Sequence, residues 1–464
     1  MKYSWRTFTL TLMVMIGLVG LGFLPQITVG DHLLRVVDIF SDLKKEPEPE
    51  VEEPVVAEEE DTKKEEVTEE SEPSEVVSFA DDKGEKFIDF STNDSSSMKS
   101  FYAKLKDLKA DPKKNVRIAY FGDSFIEGDI FTCDIRDSLQ SLFGGGGVGM
   151  YDISSAIEGA RGTILQKSEG FSRKAINSSD YVNAHGSTNL HYCQPTGPNA
   201  QVTFEKSAYT RIFRKHNSDI HLSTVYFTTD VPLTLTGVIN DTLSKEFTFA
   251  PSPNVQSATV QGNIDRLQWK VNNGGSQNSW FYSVTLEKGS GIQLDNISLR
   301  GSNGRNIKDV DDNHMAQMAK LRPYDLILVG FGLNYASDQL AANGYKQYQG
   351  EMKEVIAKLR RHYPKAPIVI VSVSDRCQRN SSGGISTMPS IKTLVETQYN
   401  IAKANHTAFW NLFQGMGGDN SMQRLVEDRS NGRPKGNSDY THITYDGGKV
   451  IACPFISAFM AGYK

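Results

Sequence analysis

Three short clusters of residues could do chemistry together: Gly122-Asp123-Ser124, Gly330-Phe331-Gly332-Leu333-Asn334 and Ser438-Asp439-Tyr440-Thr441-His442. A hydroxyl such as that of Ser124 cannot attack an ester at neutral pH unless a base takes its proton, and an imidazole titrates in the right range to be that base. Asp439, three residues before His442, can accept the other ring N–H, fix the tautomer and stabilise the imidazolium. The short amide of Asn334 can donate to a developing negative charge. Taken singly, the clusters have plainer readings: Gly-Asp-Ser as a turn into a helix N-cap, Asn334 as a turn asparagine. The other histidines of the body lack such a setting. His185, His191, His216 and His221 fall in a β-rich middle region, His362 closes a helix, and His314 and His406 read as helix-face residues.

The elements around the clusters give them a common address. Residues 115–121 (NVRIAYF) read as a buried strand that ends at Gly122. Residues 130–143 then carry Ile130, Phe131, Ile135, Leu139, Leu142 and Phe143 at helical spacing, and glycines 144–147 stop the helix. Residues 325–329 (DLILV) and 367–373 (PIVIVSV) are two further apolar strands, separated by an amphipathic helix over 351–362 with Met352, Val355, Ile356 and Leu359 on one face. Apolar strands alternating with helices predict a parallel sheet covered on both sides. In such a sheet, ligands bind outside the carboxyl ends of the strands, where Ser124 and Asn334 both fall.

Between about residues 200 and 299 the pattern changes to short alternating runs such as QVTFEK, RLQWKVNN, SWFYSVTLEKG and IQLDNISL, punctuated by Gly, Asn and Pro. Period-two patterning without a helical stretch predicts an antiparallel β-sandwich inserted into the α/β pattern. Its aromatic residues Trp269, Trp280, Phe281 and Tyr282 could stack on sugar rings, but as strand aromatics they read first as core.

At the other end of the chain, Lys2 and Arg6 precede an apolar run over residues 8–24, which fits an export signal and reaches the lower limit for a membrane-spanning helix. An uncleaved signal anchor is expected, with a cleaved signal peptide as the alternative. Residues 44–75 hold 15 Asp and Glu against 4 Lys, a net charge of −11, which leaves the rest of the chain at +5. So acidic and apolar-poor a stretch predicts a disordered, extended tether. No basic excess points to a nucleic-acid partner. Four cysteines, none in a CxxC pair, exclude a disulfide scaffold, and HExxH, P-loop and GxSxG motifs are absent. Asp309, Asp311 and Asp312 read as the charged lead-in to a helix rather than a calcium site. No metal or cofactor is expected.

Together the three clusters resemble the blocks of the SGNH (GDSL-type) hydrolases: Gly122-Asp123-Ser124 the first, Gly332-Leu333-Asn334 the third, Asp439-Tyr440-Thr441-His442 the fifth. The segment FGDSFIEGDIFTCDIRDSLQSLFGGGGVGMY (121–151) and the β-rich insertion are similar to the periplasmic peptidoglycan O-acetylesterases, in which a carbohydrate-binding-module-like sandwich interrupts the hydrolase domain. The resemblance implies a three-layer, flavodoxin-like α/β domain. It also implies a catalytic Ser124–His442–Asp439 triad and an oxyanion hole made by the Ser124 N–H, the N–H of a glycine after the second strand, and Asn334. Gly304 is the expected glycine, with Gly301 as competitor and Gly159 or Gly162 as a third option. The expected organisation is an anchor or signal over 1–30, an acidic linker over 31–85, the hydrolase domain over 86–152 and 300–464, and the inserted sandwich over 153–299.

The expected function is a serine esterase removing O-acetyl groups from peptidoglycan or another cell-surface polysaccharide through an acyl-enzyme on Ser124. Two alternatives stand beside it: a polysaccharide O-acetyltransferase using the same triad, and a non-catalytic, tethered carbohydrate-binding protein. The expected location is the periplasm, tethered to the inner membrane or released after signal cleavage.

Overall fold

The computed structural model describes residues 28–29, 32–33, 78–155, 157–158, 161–197, 199–206, 219–272, 278–380 and 382–464. The chain divides into two units, Met1–Glu72 and Pro73–Lys464. Of the first, the described part is one antiparallel pairing, Thr28–Val29 with His32–Leu33. Nearly all of the anchor expected over 1–30, its apolar run included, and nearly all of the acidic linker lie outside the described residues. Among the described residues, no helix is long and apolar enough to cross a membrane.

The second unit is built on a six-stranded sheet. In chain order its elements are β1 (Ile88–Asp89), α1 (Met98–Ala110), β2 (Asn115–Gly122), α2 (Thr132–Phe143), β3 (Gly291–Ser298), α3 (Asp312–Leu321), β4 (Leu326–Gly330), α4 (Ala342–His362), β5 (Ile368–Val371), α5 (Pro389–Ala404), β6 (Ala408–Trp410) and α6 (Tyr445–Tyr463). The strand order is β3-β2-β4-β5-β6-β1, parallel throughout except for β1 on the β6 edge. The five parallel strands, taken in chain order, thus lie 2-1-3-4-5, the flavodoxin-like arrangement, whose order reverses beside β2. β4 and β5 are buried along nearly their whole length (Ile327 0%, Val329 1%, Val369 0%, Val371 0%), because helices cover both faces.

Four expectations are corrected. IQLDNISL, assigned to the sandwich by its polar/apolar alternation, is β3 of the central sheet, parallel to β2 from Gly291↔Asn115 to Ser298↔Gly122. Its polar residues are buried and partnered. Asp295 accepts from Arg322, Tyr324 and the N–H of Met150, and Asn296 Nδ2 donates to Ile126 O and Thr132 Oγ1. The linker also stops short of residue 85, since residues 78–85 pack on the body. Phe79 packs against Tyr399 with its ring tilted, the Gly84 carbonyl accepts from Trp410 Nε1 at 3.0 Å, and the buried Asp82 accepts from Asn411 Nδ2 and the Gly84 N–H. The helix read over 351–362 begins nine residues earlier, at Ala342, its first turns carrying mostly exposed polar residues without an apolar stripe.

Two antiparallel sheets form the inserted part. One orders Ser252–Gln261, Leu222–Thr229, Ser279–Glu287, His191–Pro195 and Phe171–Ala175, with Gly147–Tyr151 also pairing Ser279–Glu287; the other orders Leu243–Phe249, Leu233–Ile239, Arg266–Val271, Gln201–Lys206 and Ile164–Glu169. Period-two burial, as in Leu233–Ile239, turns one face of each sheet to a shared core containing Val202, Phe204, Phe227, Trp269 and Phe281. Because Gly147–Tyr151 already pairs in these sheets, the insertion starts before residue 153. Arg322, 2% exposed, joins the two parts: it contacts Asp295 of β3 and Glu287 of the sandwich strand. Among the three aspartates before α3, Asp311 caps the helix by accepting from the His314 N–H at 2.9 Å. Asp312 meets Arg361 and His362.

Candidate active site

Ser124, Asn334 and His442 reach the same rim by three routes. Ser124 sits two residues beyond the end of β2, in a turn held by the Phe125 N–H donating to Asp123 Oδ1 at 2.9 Å. Asn334 lies in the 3-10 turn Leu333–Tyr335 that follows β4, the strand next to β2. His442 stands two residues before Thr444, which caps α6 by accepting from the Gly447 N–H. The helix is anchored by its buried face, where Phe455 and Phe459 meet Phe87, Phe101, Tyr102 and Trp410. Its first turn comes very close to the body: a Cβ on Gly448 would stand 2.0 Å from the Ile130 carbonyl oxygen.

The loop from 436 to 443 closes as a narrow turn. Gly436 bridges Ile443, the Asn437 N–H donates to His442 O at 2.7 Å, and Tyr440 takes a positive φ of 53°. Within it Asp439 faces the histidine. Oδ2 lies 2.7 Å from His442 Nδ1, while Oδ1 accepts from the backbone N–H groups of Thr441 and His442, each at 3.0 Å. Burial by itself would raise this carboxyl; the hydrogen bonds from the His442 ring and from the two backbone N–H groups outweigh it and hold it below the usual carboxylate range. An ionised Asp439 accepts a hydrogen bond from Nδ1–H, which keeps the proton on that nitrogen and leaves Nε2 as an acceptor, 2.9 Å from Ser124 Oγ. His442 and Asp439 stay 33% and 49% exposed, so the chain of groups opens to solvent at the rim.

Asn334 Nδ2 donates to Ser302 O at 2.9 Å and to Asp123 Oδ2 at 3.2 Å, so the amide stands directly beside the serine turn. A tetrahedral oxyanion would exchange for one of these bonds, and the longer one to Asp123 is the weaker. The Ser124 N–H has no intramolecular hydrogen-bond partner among the described residues. Gly304 lies at the same rim with φ +89° and packs on Phe331, but its N–H donates to Ser302 Oγ at 3.0 Å and is engaged in this state. Of the competing glycines, Gly301 is exposed at the loop tip, Gly162 donates its N–H to Tyr445 OH, and Gly159 lies outside the described residues.

One component escaped the sequence reading. Asp123 is 2% exposed, and its burial pushes the carboxyl up to about 6, although the Phe125 N–H, the nearby His442 and Asn334 all favour the ionised form. Gly-Asp-Ser suggests a turn, and nothing in the tripeptide signals that its aspartate is buried and reaches another strand's asparagine. Ser302, the partner of both Asn334 and Gly304, was likewise passed over. No disulfide joins the four cysteines, and among the described residues no group of His, Cys, Asp and Glu could hold a metal.

A serine hydroxyl, an imidazole and a carboxylate in a hydrogen-bonded line at the carboxyl edge of a flavodoxin-like sheet, with an asparagine alongside, are the features by which this chain resembles the hydrolases of SGNH or GDSL type. No protein-family model and no curated protein matches the sequence. Among solved structures, the chain is similar to a peptidoglycan O-acetylesterase at 17% identity and TM-score 0.63, over 81% of this chain and 98% of that one. The shared fold therefore includes the insertion. A family two carbohydrate esterase from Clostridium thermocellum (10% identity, 63% of this chain, 98% of that chain, TM-score 0.25) and an acetyl xylan esterase (11%, 36% and 81%, TM-score 0.25) align too weakly to carry weight.

Proposed function

We propose that the protein is a serine esterase that removes O-acetyl groups from a cell-surface polysaccharide, with peptidoglycan the leading substrate. The observation that carries this reading is the hydrogen-bonded line Ser124 Oγ, His442 Nε2, His442 Nδ1, Asp439 Oδ2 at the carboxyl edge of the sheet. Ser124 Oγ adds to the acetyl carbonyl while His442 takes its proton. The proton then passes to the departing sugar oxygen as the ester C–O bond breaks, leaving acetyl on Ser124. Water, deprotonated by His442, releases acetate and restores the hydroxyl. The Ser124 N–H and Asn334 Nδ2 are the donors nearest the developing oxyanion, and Gly304 joins them if its N–H turns from Ser302. Peptidoglycan is favoured by the similarity to a peptidoglycan O-acetylesterase along nearly the whole length of that chain. The apolar run over residues 8–24 and the acidic stretch after it support a periplasmic body tethered to the inner membrane.

The test is acetate release from O-acetylated peptidoglycan by the full chain in detergent, against Ser124→Ala. Acetate release by the native protein and none by the variant is expected. Equal release from both would overturn the assignment. Acetyl appearing on an added oligosaccharide instead of in free acetate would make the protein a transferase with the same triad.

A further inference from the structure

We infer that Tyr335 is a stacking platform for the pyranose ring whose ester is cleaved at Ser124; this rests on the esterase reading and names how its substrate is held. Tyr335 follows Asn334 directly, on the same 3-10 turn. Its hydroxyl donates to the Gly344 carbonyl at 2.8 Å, and one face of its ring stacks on Tyr348, with centroids 4.8 Å apart and planes 23° from parallel. Tyr348 is 1% exposed, and Gln398 fixes the layer beneath by bonding Tyr348 OH, Phe331 O and the Val373 N–H. Tyr335 itself is only partly covered. Tyr335 also packs at the edge of the main hydrophobic core, so with one face and the hydroxyl engaged only part of the ring is left to solvent, one residue along the chain from Asn334.

That arrangement suits a sugar better than it suits a core. A buried tyrosine gains nothing from an open side, whereas a pre-oriented ring on a rigid base loses little entropy when a ligand covers it. The C–H groups on the apolar face of a pyranose carry partial positive charge and are attracted to the negative face of an aromatic ring. An acetyl group on that pyranose would then have its carbonyl oxygen near Asn334, one residue away. The sandwich aromatics do not compete for this role, since Trp269, Trp280, Phe281 and Tyr282 are 4%, 6%, 2% and 0% exposed.

The experiment compares the full chain with Tyr335→Ala, Tyr335→Phe and Tyr335→Trp, on an O-acetylated N-acetylhexosamine oligomer and on ethyl acetate. Tyr335→Ala is expected to raise KM for the acetylated oligomer by about tenfold more than for ethyl acetate, a difference of the size of one aromatic contact. The Phe and Trp variants should keep most of the affinity. Equal losses on both substrates would overturn the platform and leave Tyr335 as a support for Asn334; so would an Ala variant like the native protein, or a Phe variant like Ala. If the native protein cleaves neither ester, the esterase reading falls. The platform is then read separately by calorimetric binding of the unacetylated oligomer, where loss in Tyr335→Ala supports it and unchanged or absent binding overturns it.

Discussion

Ser124 Oγ lies 2.9 Å from His442 Nε2 although 318 positions separate the two residues. Removing either member should therefore abolish the same step. Ser124→Ala and His442→Ala are each expected to lower kcat for acetate release by about 10⁴–10⁶, and the double variant should be no worse than the poorer single one. Asp439→Asn should cost less, about 10³–10⁴, because it disturbs the tautomer and leaves the nucleophile in place. Additive losses in the double variant, measured at saturating substrate, would mean that the two groups do not act as a unit.

The Asn334 amide predicts a different signature. If the protein is the proposed esterase, replacing it by Ala removes a donor to the oxyanion but leaves Ser124 and His442 in place, so kcat should fall about 10²–10³ with KM little changed. A rise in KM at constant kcat would instead make Asn334 a ground-state contact.

Asp123 links the site to pH. Its carboxyl titrates at about 6 in the folded protein against an ordinary value of 3.8, so the folded state holds the proton more tightly than the unfolded one. The stabilisation this provides is complete below the unfolded value and is lost as pH rises through about 6. Two units correspond to about 3 kcal/mol. Asp123→Asn, which cannot ionise, should accordingly gain stability relative to the native protein between pH 4 and pH 7 by up to that amount, read from urea unfolding at each pH. Parallel pH profiles for the two proteins would show that Asp123 is solvated when ionised.

What the sequence disclosed and what it hid divide along physical lines. β2, β4 and β5 are continuous apolar runs, and a turn at the carboxyl end of a parallel strand leaves few places for Ser124 and Asn334 to go. His442 was legible because Asp439 lies close in sequence and both sit on one turn. β3 was misread because alternating polar residues signal a half-exposed strand, and only the tertiary structure supplies Arg322, Tyr324, Ile126 O and Thr132 as partners that allow Asp295 and Asn296 to be buried. The Asp123–Asn334 bond joins positions 211 apart and leaves no periodicity to read.

Arg322 tests the junction between the central sheet and the sandwich. Arg322→Met deletes a guanidinium that faces Asp295 and Glu287, which are 0% and 2% exposed, and strands two carboxylates in a buried setting. Breaking one side of such a network typically costs about 3–5 kcal/mol, more than the loss of an exposed pair would. The denaturation midpoint should fall accordingly, whereas Lys104→Met, at the part-exposed pair with Asp325, should shift it by less than about 1 kcal/mol. Similar small shifts for both variants would mean that water enters the Arg322 site.

The position of His442 depends on how closely α6 can approach the body, and Gly448 sets that distance. A methyl group there would lie 2.0 Å from the Ile130 carbonyl oxygen, well inside contact, and the carbonyl belongs to main chain that cannot swing aside. Gly448→Ala must therefore push the first turn of α6 outward or shift the Ile130–Phe131 segment, and Thr444 and His442 move with the helix start. Overpacking of this kind costs about 1–3 kcal/mol, while a displacement near 1 Å at a reacting group can cost about a hundredfold in rate. The expected result is a folded variant of lowered thermal midpoint whose kcat falls well beyond what the folded fraction accounts for. Circular dichroism and acetate release on the same sample check it. A variant that loses stability but keeps full kcat per folded molecule would show that the 436–443 turn, through Asp439 and the Asn437–His442 bond, holds the imidazole in place independently of the helix.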